Sequence, residues 1–431
     1  PLTVYEDYLP YIEKMARGEK NILTSHEVLL FEPTSGSVSA SKLIPCTAAL
    51  KAEFQQGIKA WLYDLYAHLP GLADGRGYWS VTPAAFTRRR TEGGVTVGFE
   101  SDEQYLGRAF ECLSRLVLVK PKPGGDFYLR TAEALAACRN LTLVSVWNPS
   151  LFILILENME NNGMAVADHF SRLKLISCWG DASAAAYAQK LSVRFPGVLI
   201  QPKGLIATEA FISFPLLGEE GARLAVTSHF FEFLSLADGR IYLAHELEAG
   251  ERYEAVVTTS GGLYRYRMGD IVLVLDAGEA PRLRFLGRNG KVSDLFGEKL
   301  NELFVSEVLA DLLEKWEMSG EFCMLAPETD RYVLYIQSAR LSGAAPAGQA
   351  ADGLAARLAE DLESGLARNC HYEYCRTLGQ LKPLALYRLS GHPFREYLER
   401  AAERGQRPGD VKPPALSLEG GWDKVFTGGY L

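Results

Sequence analysis

Nine residues from Thr34 to Lys42, TSGSVSASK, carry five hydroxyls, one glycine and a closing lysine. Nothing in that run has apolar area worth burying. Its small side chains and backbone N–H groups are therefore available to an anion, with Lys42 as a point charge. A nucleoside triphosphate is the natural guest, although a serine-rich surface turn is the commoner outcome of such a composition. The run also lacks the second glycine, and the Ser or Thr after the lysine, of the G-x-x-x-x-G-K-[ST] phosphate loop. A second group of interest is Thr208-Glu209, set in Gly204 to Ser213 among small or apolar neighbours. A carboxylate there needs a partner, and a metal ion would serve, unless the glutamate reaches water at a turn. In LYRYRMGDIVLVL, Leu263 to Leu275, alternation puts Tyr264, Tyr266 and Met268 on one face and Arg265 and Arg267 on the other. Gly269-Asp270 then reads as a tight turn between two strands, where Asp270 accepts two hydrogen bonds from a ribose diol. A plain hairpin with Asp in its turn is the alternative. Lys412 lies between Asp410 and Pro413-Pro414, which hold the backbone extended. It is a candidate catalytic charge, though most such lysines are only solvated.

The elements that must hold these groups follow from periodicity. Tyr5 to Ala16 predicts a helix ending near Gly18. Val28 to Phe31 is a short apolar stretch ahead of the hydroxyl loop. After it, Thr47 caps a long helix from Ala48 to His68, with Leu50, Phe54, Ile58, Trp61 and Leu65 on one stripe. Gly75 to Pro83 predicts a turn entering a strand. From Arg115 onward strands alternate with helices, which predicts a largely parallel sheet covered on both faces, with ligands at the carboxyl ends of its strands. Gly204 to Ser213 belongs to a pair of strands around a turn. Arg284 to Gly297, with Gly287, Gly290 and Gly297, is a plausible hinge. The remainder is a smaller α+β unit ending in the helix PFREYLERAAERG.

A length of 431 residues predicts two or more domains, and 48% hydrophobic with 23% charged residues is a globular profile. A net charge of -8 argues against non-specific nucleic-acid or membrane-surface binding. The seven cysteines are scattered and only Cys370 and Cys375 are close, so no zinc site is expected and a reducing, cytoplasmic setting is. No apolar run reaches the ~18 residues that span a bilayer, and no signal peptide is read. The chain starts at Pro1 rather than Met, so a preceding segment is expected.

TSGSVSASK followed by IPCT, then ATEAF, LYRYRMGD, GR with DLFGEKLNE, and VKPP occur in the order of the acyl-adenylate-forming superfamily. More narrowly, with GRGYWSVTP, SVWNPS, CWGD and PKGLIATE, the chain resembles the auxin-responsive acyl-acid–amido synthetase family and its bacterial members. The resemblance implies an α/β fold: a large N-terminal adenylation domain (1–288) with mixed sheets and flanking helices, and a small mobile α+β C-terminal domain (289–431). It implies that Thr34, Ser35, Gly36, Ser37 and Lys42 hold ATP phosphates, that Thr208 touches the α-phosphate and that Glu209 ligates Mg²⁺. Asp270 would bind the ribose with Arg288 helping, and Lys412 would neutralise charge in the reaction. Against the family's usual pattern, Val38 stands where a hydroxyl is expected and Ser39 where glycine is common. The implied activity joins a small carboxylic acid, through an acyl-adenylate, to an amine such as an amino acid. A thiol or alcohol acceptor, as in an acyl-CoA synthetase or acyltransferase, stays open, as does a non-catalytic nucleotide- or acid-binding homologue. Trp147, Phe230, Phe231 and Tyr264 are candidates for the acyl pocket. The acid, the acceptor and the oligomeric state are not readable.

Overall fold

The hydroxyl-rich run is flanked by the strands Val28–Pro33 and Leu43–Thr47, which pair antiparallel with Pro33 opposite Leu43. The sequence reading missed this second strand: Leu43–Thr47 stands between the loop and the helix. That helix, Ala48–His68, starts where Thr47 accepts a hydrogen bond from the Leu50 N–H at 3.1 Å, a cap worth about 1 kcal/mol. Its stripe of Leu50, Phe54, Ile58, Trp61 and Leu65 is buried against Trp79, Leu143, Leu175 and Phe211. The helix Tyr5–Ala16 has the expected bounds and buries Tyr5, Tyr8, Ile12 and Met15. Ahead of it, Thr3 pairs in parallel with Tyr266, and the Tyr8 hydroxyl bridges the Tyr264 N–H and carbonyl at 2.7 and 2.8 Å.

The protein is described here by a computed structural model covering residues 1–34, 42–80, 89–98, 127–181, 184–290, 292–318, 322–341, 351–404, 411 and 413–431. The strand run expected from Ser114 to Pro121 lies outside them. Among the described residues, the parallel sheet is confined to Arg76–Trp79, Leu141–Ser145, Leu175–Cys178 and Leu199–Pro202. The largest sheet has seven strands and is antiparallel across Ile241–Leu243, Phe230–Ser235, Arg252–Thr258 and Tyr266–Asp276. It is antiparallel again across Arg282–Arg288, Ala222–Leu224 and Ser213–Phe214. The parallel sheet is the one expected from the strand–helix alternation, while the strands that follow it in the chain form the seven-stranded antiparallel sheet. The connections within this sheet are shorter than the about a dozen residues a parallel crossover needs.

The chain divides into two compact units, one of residues 1–181, 191–285 and 405–410, the other of 182–190, 286–404 and 411–431. The second unit is built on the sheet Cys323–Pro327, Tyr332–Ile336, Ala385–Leu389 and Gly428–Tyr430. Val308 and Leu312 of the helix Glu302–Lys315 share its core with Leu334, Leu358 and Leu362. Among the described residues no helix is long and apolar enough to cross a membrane.

Candidate functional site

The mouth of the hydroxyl-rich loop is closed by Thr34, whose N–H donates to the Lys42 carbonyl at 2.9 Å. Ser35, Gly36 and Ser37 lie outside the described residues, as do Val38 and Ser39. The Lys42 ammonium lies 5.3 Å from the centre of the Tyr5 ring and 6.0 Å from that of Tyr266, and donates to the Tyr266 hydroxyl at 3.4 Å. Two aromatic faces thus hold a cation without neutralising it. The Tyr5 hydroxyl accepts from the Leu43 N–H at 2.6 Å, fixing the residue after the lysine. Burial pushes the Tyr5 phenol up, its hydrogen bond to the Leu43 backbone pulls it down, and the negative charge of Glu209 adds to the rise.

Glu209 is 2% exposed, and among the described residues its carboxylate has no hydrogen bond or ion pair. It sits with half-buried Thr208 at the tip of a turn where the Ala207 N–H donates to Ala210 O at 3.0 Å. Gly204 stands at the base of this turn, where an added Cβ would lie 2.0 Å from the Ser213 carbonyl, so only glycine allows the crossing. The far side is gripped by a polar chain. The Phe211 N–H donates to His229 Nε2 at 3.0 Å, so that nitrogen is unprotonated, and Nδ1–H faces Glu53 at 3.0 Å. Glu53 also accepts from the Ser260 hydroxyl at 2.5 Å. Burial pushes the Glu53 carboxyl up, but hydrogen bonds from His229 and Ser260 outweigh it and hold it below the ordinary 4.5. A carboxyl lowered on folding stabilises the fold above its unfolded value and loses that contribution as pH falls through the folded one. Acid unfolding followed by tryptophan fluorescence should therefore show a loss of stability below pH 4.5 that Glu53→Gln lacks; identical acid limbs would contradict this.

Asp270 is buried at 4% exposure, but not in a turn between two strands. Tyr266–Asp276 is one strand with a bulge: Arg267 pairs with Val256 and Ile271 with Glu254, so two extra residues are accommodated between them. Gly269 absorbs the irregularity at φ +76°, a region open to glycine. The bulge is pinned by Glu254, itself 2% exposed, which accepts from the Gly269 N–H at 3.2 Å and from Arg267 at 2.6 and 3.1 Å. Arg265 makes a similar two-point pair with Glu232, both contacts at 2.8 Å. Both arginines of the motif are thus committed to the sheet.

The expected face of Tyr264, Tyr266 and Met268 is also corrected. Arg265 takes φ +50°, which breaks the alternation, so Tyr266 is buried while Tyr264 is 51% exposed and donates to the Leu23 carbonyl. Phe231 is buried in the core and its neighbour Phe230 points out at 56% exposure, whereas half-buried Trp147 lies just past a parallel-strand end. Among the described residues no ring contact joins any two of these four candidates. Arg288 ends the strand Arg282–Arg288, half-buried, and Lys412 lies outside the described residues. The arrangement brings Lys42, Tyr5 and Tyr266 together, and the charge of Glu209 is felt at the Tyr5 phenol. Sequence reasoning missed Tyr5, Glu53 and His229, because their partners are 18 to 207 residues away and no local pattern marks them. Among the described residues no cluster of three or more His, Cys, Asp or Glu could hold a metal by protein ligands alone. A hard cation carried on phosphate oxygens needs only one such carboxylate.

Three domain patterns of one family match the chain: the GH3 family N-terminal domain over residues 1–169, its central domain over 222–288 and its C-terminal domain over 304–420. The indole-3-acetic acid-amido synthetase GH3.10 of Arabidopsis thaliana is 23% identical over 396 residues, covering 72% of this chain and 66% of its own. The 4-substituted benzoates-glutamate ligase GH3.12 of the same plant is 31% identical over 119 residues, 25% of this chain and 21% of its own. Among solved structures, AtGH3.15 acyl acid amido synthetase in complex with 2,4-DB superposes with a TM-score of 0.82 at 19% identity. That match covers 99% of this chain and 86% of that one. The large α/β N-terminal part and the smaller C-terminal part are the fold of these enzymes.

Proposed function

Since this chain belongs to the GH3 family, we propose that it is an ATP-dependent ligase joining a small carboxylic acid to an amine, an amino acid, through an acyl-adenylate. In the first half-reaction an oxygen of the acid's carboxylate attacks the α-phosphorus of ATP, the bond to the β-phosphate oxygen breaks and pyrophosphate leaves. In the second the amine nitrogen attacks the acyl carbon, AMP leaves and the nitrogen gives up a proton. The observation that carries this reading is Lys42 held at the loop mouth by the rings of Tyr5 and Tyr266, in a chain that also buries the Glu209 carboxylate.

Thr34, Ser35, Gly36, Ser37 and Lys42 would hold the triphosphate, Thr208 the α-phosphate, and Asp270 the ribose hydroxyls with Arg288. Glu209, as a buried carboxylate with no other partner among the described residues, would hold Mg²⁺. When bound, the cation neutralises phosphate charge as pyrophosphate departs. The division of labour follows domains at 1–288 and 289–431, with Lys412 on the smaller one stabilising charge at the α-phosphorus. The enzyme is taken to be cytoplasmic. Removing Lys412 as alanine takes away transition-state charge stabilisation but not ATP contacts. Pyrophosphate release should therefore fall by about 100- to 1,000-fold while ATP affinity holds; unchanged release would refute the role. The reading as a whole is tested by ATP–pyrophosphate exchange with Mg²⁺ and a panel of benzoate, indole and short aliphatic acids. Exchange dependent on one acid class is expected, with amide formed on adding amino acids. No exchange from a folded, ATP-binding protein would overturn it.

A further inference from the structure

One buried cation plays no part in the mechanism above. Trp79, Ser145, Ser177 and Gln201 form a single register row across all four parallel strands, at their carboxyl ends. All four are buried. Two positions beyond Gln201 stands Lys203, 6% exposed, whose ammonium donates back to the Ser145 hydroxyl at 2.8 Å and to Ser177 at 3.2 Å. Three indole rings surround the same ammonium, Trp61 at 4.7 Å, Trp147 at 5.2 Å and Trp79 at 5.6 Å from their centres. The Trp61 N–H in turn donates to Gln201 Oε1 at 3.0 Å. Lysine is rarely buried so completely, and among the described residues this one is held by groups from a helix, three strands and the bend after one of them.

Its backbone explains the expense. The Lys203 N–H donates to the Cys178 carbonyl at 2.7 Å, the last sheet contact before the chain leaves for the turn bearing Thr208 and Glu209. Gly204 and its close approach to Ser213 follow immediately, and the Ser213 hydroxyl accepts from Leu205 N–H at 2.9 Å. The direction in which the turn departs is thus set where Lys203 is locked.

We propose that Lys203 is a positioning residue for the adenylation half-reaction, its caged ammonium fixing the base of the turn that carries Thr208 and Glu209. This rests on the roles proposed above for those two residues. Lys203→Met keeps the stem and volume but removes the ammonium. Displacement of the turn should lower ATP–pyrophosphate exchange by about 10- to 100-fold through kcat, with KM for ATP little moved. The indole cage should report itself as a shift in tryptophan emission. Amide formation from a supplied acyl-adenylate, which would need Thr208 at the retained phosphate but no cation at Glu209, should fall much less than exchange.

A fall of both half-reactions together with melting temperature would make the lysine merely structural and overturn the proposal; so would unchanged exchange. If the variant does not fold, Ser145→Ala with Ser177→Ala removes the acceptors and leaves lysine and cage in place. The same split between half-reactions is then expected, and its absence overturns the proposal. Glu209→Gln run in parallel separates the two levels. Normal exchange in that variant removes the underlying reading and this proposal with it, whereas loss there and none in Lys203→Met removes the positioning role alone.

Discussion

Glu209→Gln should lose at least about 10- to 100-fold in ATP–pyrophosphate exchange, the range seen when even the supports of a metal ligand are altered. Its thermal midpoint should hold or rise. The two halves of this expectation come from one fact. The carboxylate is 2% exposed with no hydrogen bond or ion pair among the described residues. Burial of an unpaired charge opposes folding, and a neutral amide of the same shape costs less to bury. The same substitution removes the negative charge that would hold a hard cation, so activity and stability move in opposite directions. Raising Mg²⁺ should recover part of the exchange. A variant that melts early would show that Glu209 is a structural carboxylate, and one with normal exchange that it is not a metal ligand.

The second large effect is on the bulge. Arg267→Ala leaves Glu254, 2% exposed, with only the Gly269 N–H of its three recorded contacts. Stranding one partner of a buried pair costs about 3–5 kcal/mol. The half-exposed guanidinium argues for the lower end, about 3 kcal/mol. The carboxylate is then free to seek water, and the bulge that aims Asp270 goes with it, so ATP affinity should fall in step. Arg265→Ala is the control. Its partner Glu232 is more exposed, its side chain at 10%, and the pair does not touch the bulge. The loss there should be the smaller of the two, with ATP binding kept. Urea denaturation and equilibrium ATP binding on both variants check the ordering; equal losses would mean that the bulge needs no Glu254.

What was legible in the sequence was what is encoded locally. The helices Tyr5–Ala16 and Ala48–His68 were readable to the residue, because periodicity, a capping Thr47 and a nearby glycine act within one or two turns. The motifs were readable as motifs, and their order named the family. Asp270 was misplaced because a bulge is a property of two strands: nothing in YRYRMGD reveals that Glu254 will pin it. Tyr264 was put on the wrong face because alternation presumes extended backbone, and Arg265 is not extended. Phe230 and Phe231 show the same limit in reverse, since neighbours in a strand face opposite ways and only one of them can line any pocket. Lys203 was passed over altogether. A lysine between proline and glycine reads as solvated loop until four strands are put in register.

The pairing of Thr3 and Tyr8 with residues 264 to 267 has a consequence for how the protein is made. Tyr8 and Tyr264 are 256 residues apart, so the first helix leaves the ribosome long before its partners exist. The parallel sheet and the long helix over it can form from what has already emerged. The two-ring cradle for Lys42 cannot, because Tyr266 is among the last parts of the larger unit to be synthesised. On the role proposed for Lys42, nucleotide-binding competence arrives late in biosynthesis, and in refolding it is tied to a loop closure spanning 256 residues, a step of high contact order.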